Sequence, residues 1–221
     1  MKSSKNLTLI FRHFEQEHFG KDVFLVPYYL GKQLGYEVTV VYPQTETNAS
    51  FPSTVKDVRL VPLNSNHSLP DFLFGRAWRF YWYLLCHARQ IDLLMRFHFT
   101  LHTELMIIIY KLLNVKGKSY VKLDLDYNDL SKSESIKRTS FRHKMGDWLA
   151  KAFIRCVDRV SCETFQSFEL LQKTEQTRYK FGDKLVLMPN GFDGDTLQSY
   201  HIHENLFAEK ENLMITVGRL G

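Results

Sequence analysis

Between Asn6 and Tyr42 the sequence spells out a supersecondary unit that few folds can hold. Asn6 to Arg12 is apolar and strand-like, and a loop follows from His13 to Lys21 with Gly20 near its end. Val23, Val26, Leu30 and Leu34 then recur at helical spacing, with Pro27 expected to interrupt the helix. Gly35 is placed to stop it, and Glu37 to Tyr42 alternates as a second strand. Two strands joined through a helix run parallel, and a parallel sheet needs helices over its faces. The chain is therefore expected to be α/β, a Rossmann-like domain with a mostly parallel sheet and flanking helices.

A length of 221 residues with 44% apolar content supports one good core, or one domain and a fragment of another. Cys86, Cys156 and Cys162 are odd in number and scattered, which suits reduced thiols of a cytoplasmic protein and no metal site. The apolar run Leu7 to Phe11 is too short for the core of a signal peptide and reads as the first buried strand. No run reaches the ~20 apolar residues of a membrane span. The net charge of +5 favours anionic partners without choosing among nucleic acid, sugar nucleotide and lipid.

Farther along, Val58 to Leu63 is a third strand. Asp71 to Gln90 reads as a helix crowded with aromatic residues and arginines. Helical spacing sets Phe74, Trp78, Trp82 and Leu85 on one face and Arg76, Arg79, Tyr83 and His87 on another. The simpler reading is a core-facing helix with an exposed basic side. The sharper one is an interfacial helix in which Trp78, Arg79 and Trp82 meet anionic lipid or a lipid-linked substrate. Stacking on single-stranded nucleic acid uses the same residue types, but no nucleic-acid module accompanies them, and no such partner is expected. Ile91 to Phe99 is a further strand, Leu101 to Leu113 an apolar helix stopped before Gly117, and Ser119 to Asp126 another strand. His98 and His102 fall near a strand end, where a histidine is more often a satisfied structural residue. Tyr127 to Lys144 is a polar, basic stretch leading into an amphipathic helix with Leu149, Phe153 and Cys156 on one face. Asp158 to Cys162 is a strand, and Glu163 to Gln172 a helix with Thr164 as its cap.

Two motifs close the chain. Lys184 to Met188 is a short strand stopped by Pro189-Asn190-Gly191, and Asn212 to Val217 is a second strand running into Gly218-Arg219. A strand that opens into glycine and arginine usually leads to a helix N-terminus that holds phosphate. The segments PNGFD and ITVGRLG, in this order and spacing, resemble those of GT-B fold, family-four nucleotide-sugar glycosyltransferases. LGKQLGYEVTVVYP is similar to the end of that family's opening unit, and DRVSCETFQSFELL to its element before the crossover, with Glu163 or Thr164 where a serine is usual. The resemblance implies an acceptor-binding N-terminal domain over 1–185, a linker over 186–211 and the first strand of a donor-binding C-terminal domain over 212–221, whose remainder would lie beyond Gly221.

It also implies roles. Arg219 and Gly218 would bind the donor diphosphate, since a guanidinium fork suits two phosphate oxygens. Gly20 and Lys21 stand in the family's glycine loop, here with one glycine where two or more are usual. Asp126, and Asp124 on the same strand face, occupy the place of the family's acceptor-side histidine at the carboxyl end of a strand. A carboxylate there either acts as base toward an acceptor hydroxyl or caps the turn. The function so implied is the acceptor-binding half of a retaining glycosyltransferase. It would move a sugar from a nucleotide sugar to a lipid-linked saccharide at the inner membrane face, in surface or capsular polysaccharide synthesis, with no metal or other cofactor. This half is expected not to transfer sugar alone. Two rivals share the pattern: a sugar-nucleotide 2-epimerase on the same fold, and a non-catalytic module that recruits partners to a membrane.

Overall fold

A computed structural model describes residues 4–64, 77–98, 100–123, 141–172 and 179–189. The chain divides into two units, Met1–Asn190 and Gly191–Gly221, and every described residue lies in the first. That unit holds β1 (Lys5–Ile10), α1 (Asp22–Leu34), β2 (Tyr36–Pro43), β3 (Thr54–Val55), β4 (Val58–Leu63) and α2 (Trp78–His87). There follow β5 (Leu93–Phe97), α3 (Leu101–Leu113), β6 (Lys118–Leu123), α4 (Phe141–Cys156), β7 (Arg159–Cys162), α5 (Phe165–Gln172) and β8 (Leu185–Leu187). The eight strands form one sheet in the order β3-β4-β2-β1-β5-β6-β7-β8. All pairings are parallel except the short edge pair of β3 with β4. The expected α/β fold with a mostly parallel sheet is present, and the last strand carries that sheet to Leu187, just past the expected boundary at 185.

Each face of the sheet has its own core. On one, Phe80 and Leu84 of α2 with Ala88 just after it, Met106, Ile107 and Tyr110 of α3 and Phe153 of α4 pack over Ile10, Leu94, Val121 and Val160. On the other, Val23, Phe24 and Leu25 of α1 pack with Phe14 over Leu7, Leu9, Val40, Met95 and Phe97. Strand alternation sorts the side chains: Leu94 and Val121 face the first core, Met95 and Phe97 the second.

Pro27 does not interrupt α1. The helix runs through it, and Val23, Phe24, Leu25, Pro27 and Gly31 are buried, so packing outweighs the ~3 kcal/mol propensity cost of an interior proline. Gly35 ends the helix as expected, in the left-handed conformation with φ 70°. Gly31 is required for a different reason. A Cβ there would stand 2.3 Å from Cγ2 of Val38 and 3.1 Å from the Tyr36 carbonyl oxygen, so α1 lies close on β2. Gly31→Ala is expected to cost about 1–3 kcal/mol, seen as a lower urea midpoint at an unchanged m-value.

The helix at 78–87 overturns the expected face. Phe80, Leu84 and Ala88 point inward, while Trp82 is 58% and Leu85 55% exposed. Residues of this segment are apolar almost all round, so period alone does not choose between opposite faces, and the Phe80-Leu84-Ala88 row fits against α3. Arg79, expected on the exposed side, is buried, and burial pushes its guanidinium below the ordinary range. Phe74 and Arg76 lie outside the described residues.

At the amino end of the sheet, Asp158 ties three elements together. Its carboxylate accepts from Lys111 Nζ at 3.0 Å and from the Ser119 N–H and hydroxyl at 2.8 and 3.0 Å. Burial pushes the carboxyl up, but Lys111 and the Ser119 donors outweigh that and hold it below its ordinary 3.8. A depressed carboxylate contributes stability that is present above about pH 4 and is lost as pH falls through the folded value. Asp158→Asn is therefore expected to cost about 1–3 kcal/mol at neutral pH and to flatten the acid limb of a stability–pH curve.

Candidate functional site

The sheet order reverses between β1 and β5. From β1 the chain builds outward through β2 and β4, and from β5 it builds the other way through β6, β7 and β8. In open α/β sheets such a reversal leaves a crevice at the carboxyl ends of the two strands, where neither crossover helix covers it. A cavity of about 330 Å³ lies there. Phe11, Arg12 and His13 follow β1, Arg96 and Phe97 come from β5 and His98 from the turn after it, and His102 and Met106 from α3; His18, Ala77, Phe80 and Thr100 complete the lining.

The walls are apolar and the polar groups are basic. No carboxylate lines the cavity among the described residues. Arg96 carries most weight: it is 5% exposed, in the middle of the sheet. Its guanidinium donates to the Ile10 carbonyl and, at 3.5 Å, to the Thr103 hydroxyl, while its Nε has no partner. Burial pushes Arg96 down to about 10, opposed by the Tyr81 phenol.

His102 is held by Tyr81, whose hydroxyl lies 2.8 Å from Nδ1. Burial lowers the imidazole first, and the positive charges of Arg12 and Arg96 lower it further. His102 is thus neutral at pH 7, with Nε2 left to serve the cavity as donor or acceptor according to tautomer. His18 accepts the Glu15 N–H at Nδ1, 2.9 Å away, which assigns the proton to Nε2 in the neutral ring.

His98 has φ 62°, a left-handed conformation that costs a non-glycine residue roughly 1–2 kcal/mol. Hydrogen bonds on both sides fix it: its N–H donates to the Lys122 carbonyl at 3.1 Å, and its carbonyl accepts from the Thr103 hydroxyl at 3.0 Å. This turn ends β5 at Phe97, short of the expected Phe99, and starts α3 directly. Thr100 caps that helix by accepting the Thr103 N–H at 3.2 Å. The positive end of a thirteen-residue helix therefore opens beside the cavity.

A second polar cluster sits at the ends of β6 and β7. Lys122, with a fully buried side chain, pairs with both Asp22, the first residue of α1, and Glu163, and its ammonium stands 5.6 Å above the Phe97 ring. Burial lowers Lys122, but its hydrogen bonds to Asp22 and Glu163 outweigh that and raise it. Asp22 also accepts the Val23 N–H at 2.8 Å, so the start of α1 is occupied by its own carboxylate.

The expected site residues distribute as follows. Gly20 and Lys21 precede α1 but do not line the cavity; Lys21 pairs with Glu17 at 2.6 Å, and a Cβ on Gly20 would meet open space. Trp78, Arg79 and Trp82 come together in a second, shallower cavity of about 410 Å³ with Pro62, Tyr83 and His87. Asp124, Asp126, Gly218 and Arg219 lie outside the described residues. Thr164 caps α5 as expected, accepting the Ser167 N–H at 3.1 Å. His13, His18 and Arg96 carried no sequence expectation, and His98 and His102 were expected to be structural. The signal for them was positional, since His13 follows the first strand and His98 the strand that reopens the sheet.

No described helix is long and apolar enough to cross a membrane, and no described group of three or more His, Cys, Asp or Glu could hold a metal ion. No protein-family model matches the chain, and no curated protein matches it either.

Proposed function

We propose that this chain is the acceptor-binding half of a retaining glycosyltransferase that uses a nucleotide-sugar donor. The observation that carries the reading is the basic cavity at the crossover between β1 and β5. It has a volume suited to a monosaccharide unit, apolar walls against which a sugar face packs, and imidazoles able to exchange hydrogen bonds with hydroxyl groups. The likeness of PNGFD and ITVGRLG to the junction and donor strand of GT-B enzymes supports the same assignment. On this reading the cavity orients the acceptor. Asp124 and Asp126, on the segment after β6, are the candidate bases, and Arg219 with Gly218 meets the donor diphosphate.

The test is sugar transfer by the protein encoded in the complete reading frame, offered a panel of labelled nucleotide sugars and a polyprenyl-diphosphate-linked saccharide. The expected product keeps the donor's anomeric configuration. An isomerised nucleotide sugar with no acceptor product would assign the epimerase chemistry instead, and no turnover with any donor overturns both.

The exposed indole of Trp82, beside Leu85 and the half-buried Trp78, favours contact with a membrane surface. Trp82→Ser is expected to weaken co-sedimentation with anionic vesicles several-fold at an unchanged melting temperature. Undiminished sedimentation removes this helix from any membrane role.

A further inference from the structure

Arg96 poses an energetic problem. A guanidinium in the middle of a sheet, bonded to one carbonyl and one hydroxyl and to no carboxylate among the described residues, keeps a charge that burial disfavours. Its surroundings increase the imbalance. Arg12 is exposed at the rim, four imidazoles share the lining, and the amino end of α3 adds its dipole. Every polar side chain lining the cavity is a donor or a potential donor, and no described residue supplies an anion to it.

We infer that the cavity is an oxyanion site for a phosphorylated ligand, with the phosphoryl group set between Arg96 and Arg12 and reached by His98 and His102. A phosphoryl group supplies what the cavity lacks: two negative charges near neutral pH and three acceptor oxygens that can engage several donors at once. The apolar walls of Phe11, Phe80 and Met106 leave room for the organic part of the ligand. This deepens the acceptor reading by naming the group that the acceptor presents, and it rests on that reading only for the ligand's sugar.

The experiment is isothermal titration of the 221-residue chain with glucose 1-phosphate and with inorganic phosphate, beside glucose as the neutral control. A parallel arm uses phosphatidylcholine vesicles carrying a polyprenyl phosphate. Saturable binding of a phosphorylated probe, and none of glucose, is expected. Arg12→Ala, an exposed change that should leave folding intact, and Arg96→Met should each weaken it about tenfold or more. Lys21→Ala, a cation off the cavity, should leave it unchanged. Binding in the soluble arm identifies a free phosphorylated sugar, and binding in the vesicle arm alone identifies a lipid-borne phosphate; each supports the site. Failure in both arms overturns it, as does binding that survives Arg12→Ala or is lost equally in Lys21→Ala. Phosphate binding without sugar transfer by the complete protein would sink the acceptor reading and keep this one. Transfer that is indifferent to Arg12 and Arg96 would do the reverse.

Discussion

Lys122→Met is expected to cost about 3–5 kcal/mol of stability, the largest loss of any single polar substitution considered for this protein. The ammonium is fully buried and engages Asp22 from α1 and Glu163 from the end of β7, partners 100 and 41 residues away in the chain. Methionine keeps most of the volume, so the cost is not a cavity. It is two carboxylates left facing one another where a cation had joined them. The pH dependence identifies the cause. In the native protein the raised Lys122 keeps its contribution at every pH below its ordinary 10.5 and loses it only as pH rises through the folded value. In the variant the two carboxylates face one another with no cation between them, a like-charge repulsion that is relieved when either takes a proton. Stability then increases as pH falls toward the carboxylate range, opposite to the acid limb that Asp158 gives the native protein. Urea unfolding at pH 7 and pH 5 measures both signs. Adding Asp22→Asn and Glu163→Gln to Lys122→Met should recover most of the loss. A flat pH response, or no recovery, would mean that the triad is not what holds these elements together.

How much of this was legible in the sequence depends on whether the information is local. The bounds of the helices at Asp22–Leu34 and Leu101–Leu113 were, because apolar spacing marks both and Gly35 stops the first, although the interruption expected at Pro27 is absent. The strand at Val58–Leu63 was equally plain. Thr54–Val55, two residues of antiparallel edge, carries no period at all and was missed. The inward face of α2 is ambiguous in the sequence because Trp78 and Trp82 lie on one side and Phe80 and Leu84 on another, both apolar, and packing against α3 selects the second. The site was legible only in principle. A strand-end rule pointed to the carboxyl edge and selected Asp126, whose position lies outside the described residues. His13 and His98 come to line one cavity because β1 pairs with β5, a neighbour relation that no local pattern encodes. Alternation places Arg96 on one face of β5 or the other, but only the finished sheet shows that this face is covered by α3 and that no carboxylate among the described residues lines the cavity beside it.

Arg96→Met is expected to do what few core substitutions do: raise the stability of the unliganded protein while abolishing its response to phosphate. Removing a buried charge that has no counter-ion among the described residues relieves a desolvation cost, and apolar replacements at buried ionic positions have gained about 1–4 kcal/mol. Against this stand the lost bonds to the Ile10 carbonyl and the Thr103 hydroxyl, each worth about 1 kcal/mol net. Thr103 keeps its bond to the His98 carbonyl at 3.0 Å, so the turn at His98 should survive the change. Because no carboxylate among the described residues offsets the desolvation of Arg96, the gain falls in the upper half of that range, and the balance is about 1–2 kcal/mol, visible as a higher melting temperature without ligand. Saturating phosphate should raise the native protein toward the variant and leave the variant where it was, because an anion bound only to the folded state adds stability by mass action. The comparison separates two origins of a buried arginine. Were Arg96 a structural residue, the variant would melt lower, and phosphate would move both proteins equally or neither. A higher melting point with the phosphate response gone would mean that the sheet tolerates this charge for the sake of what it binds, the stability–function conflict expected where a fold gives way to a site.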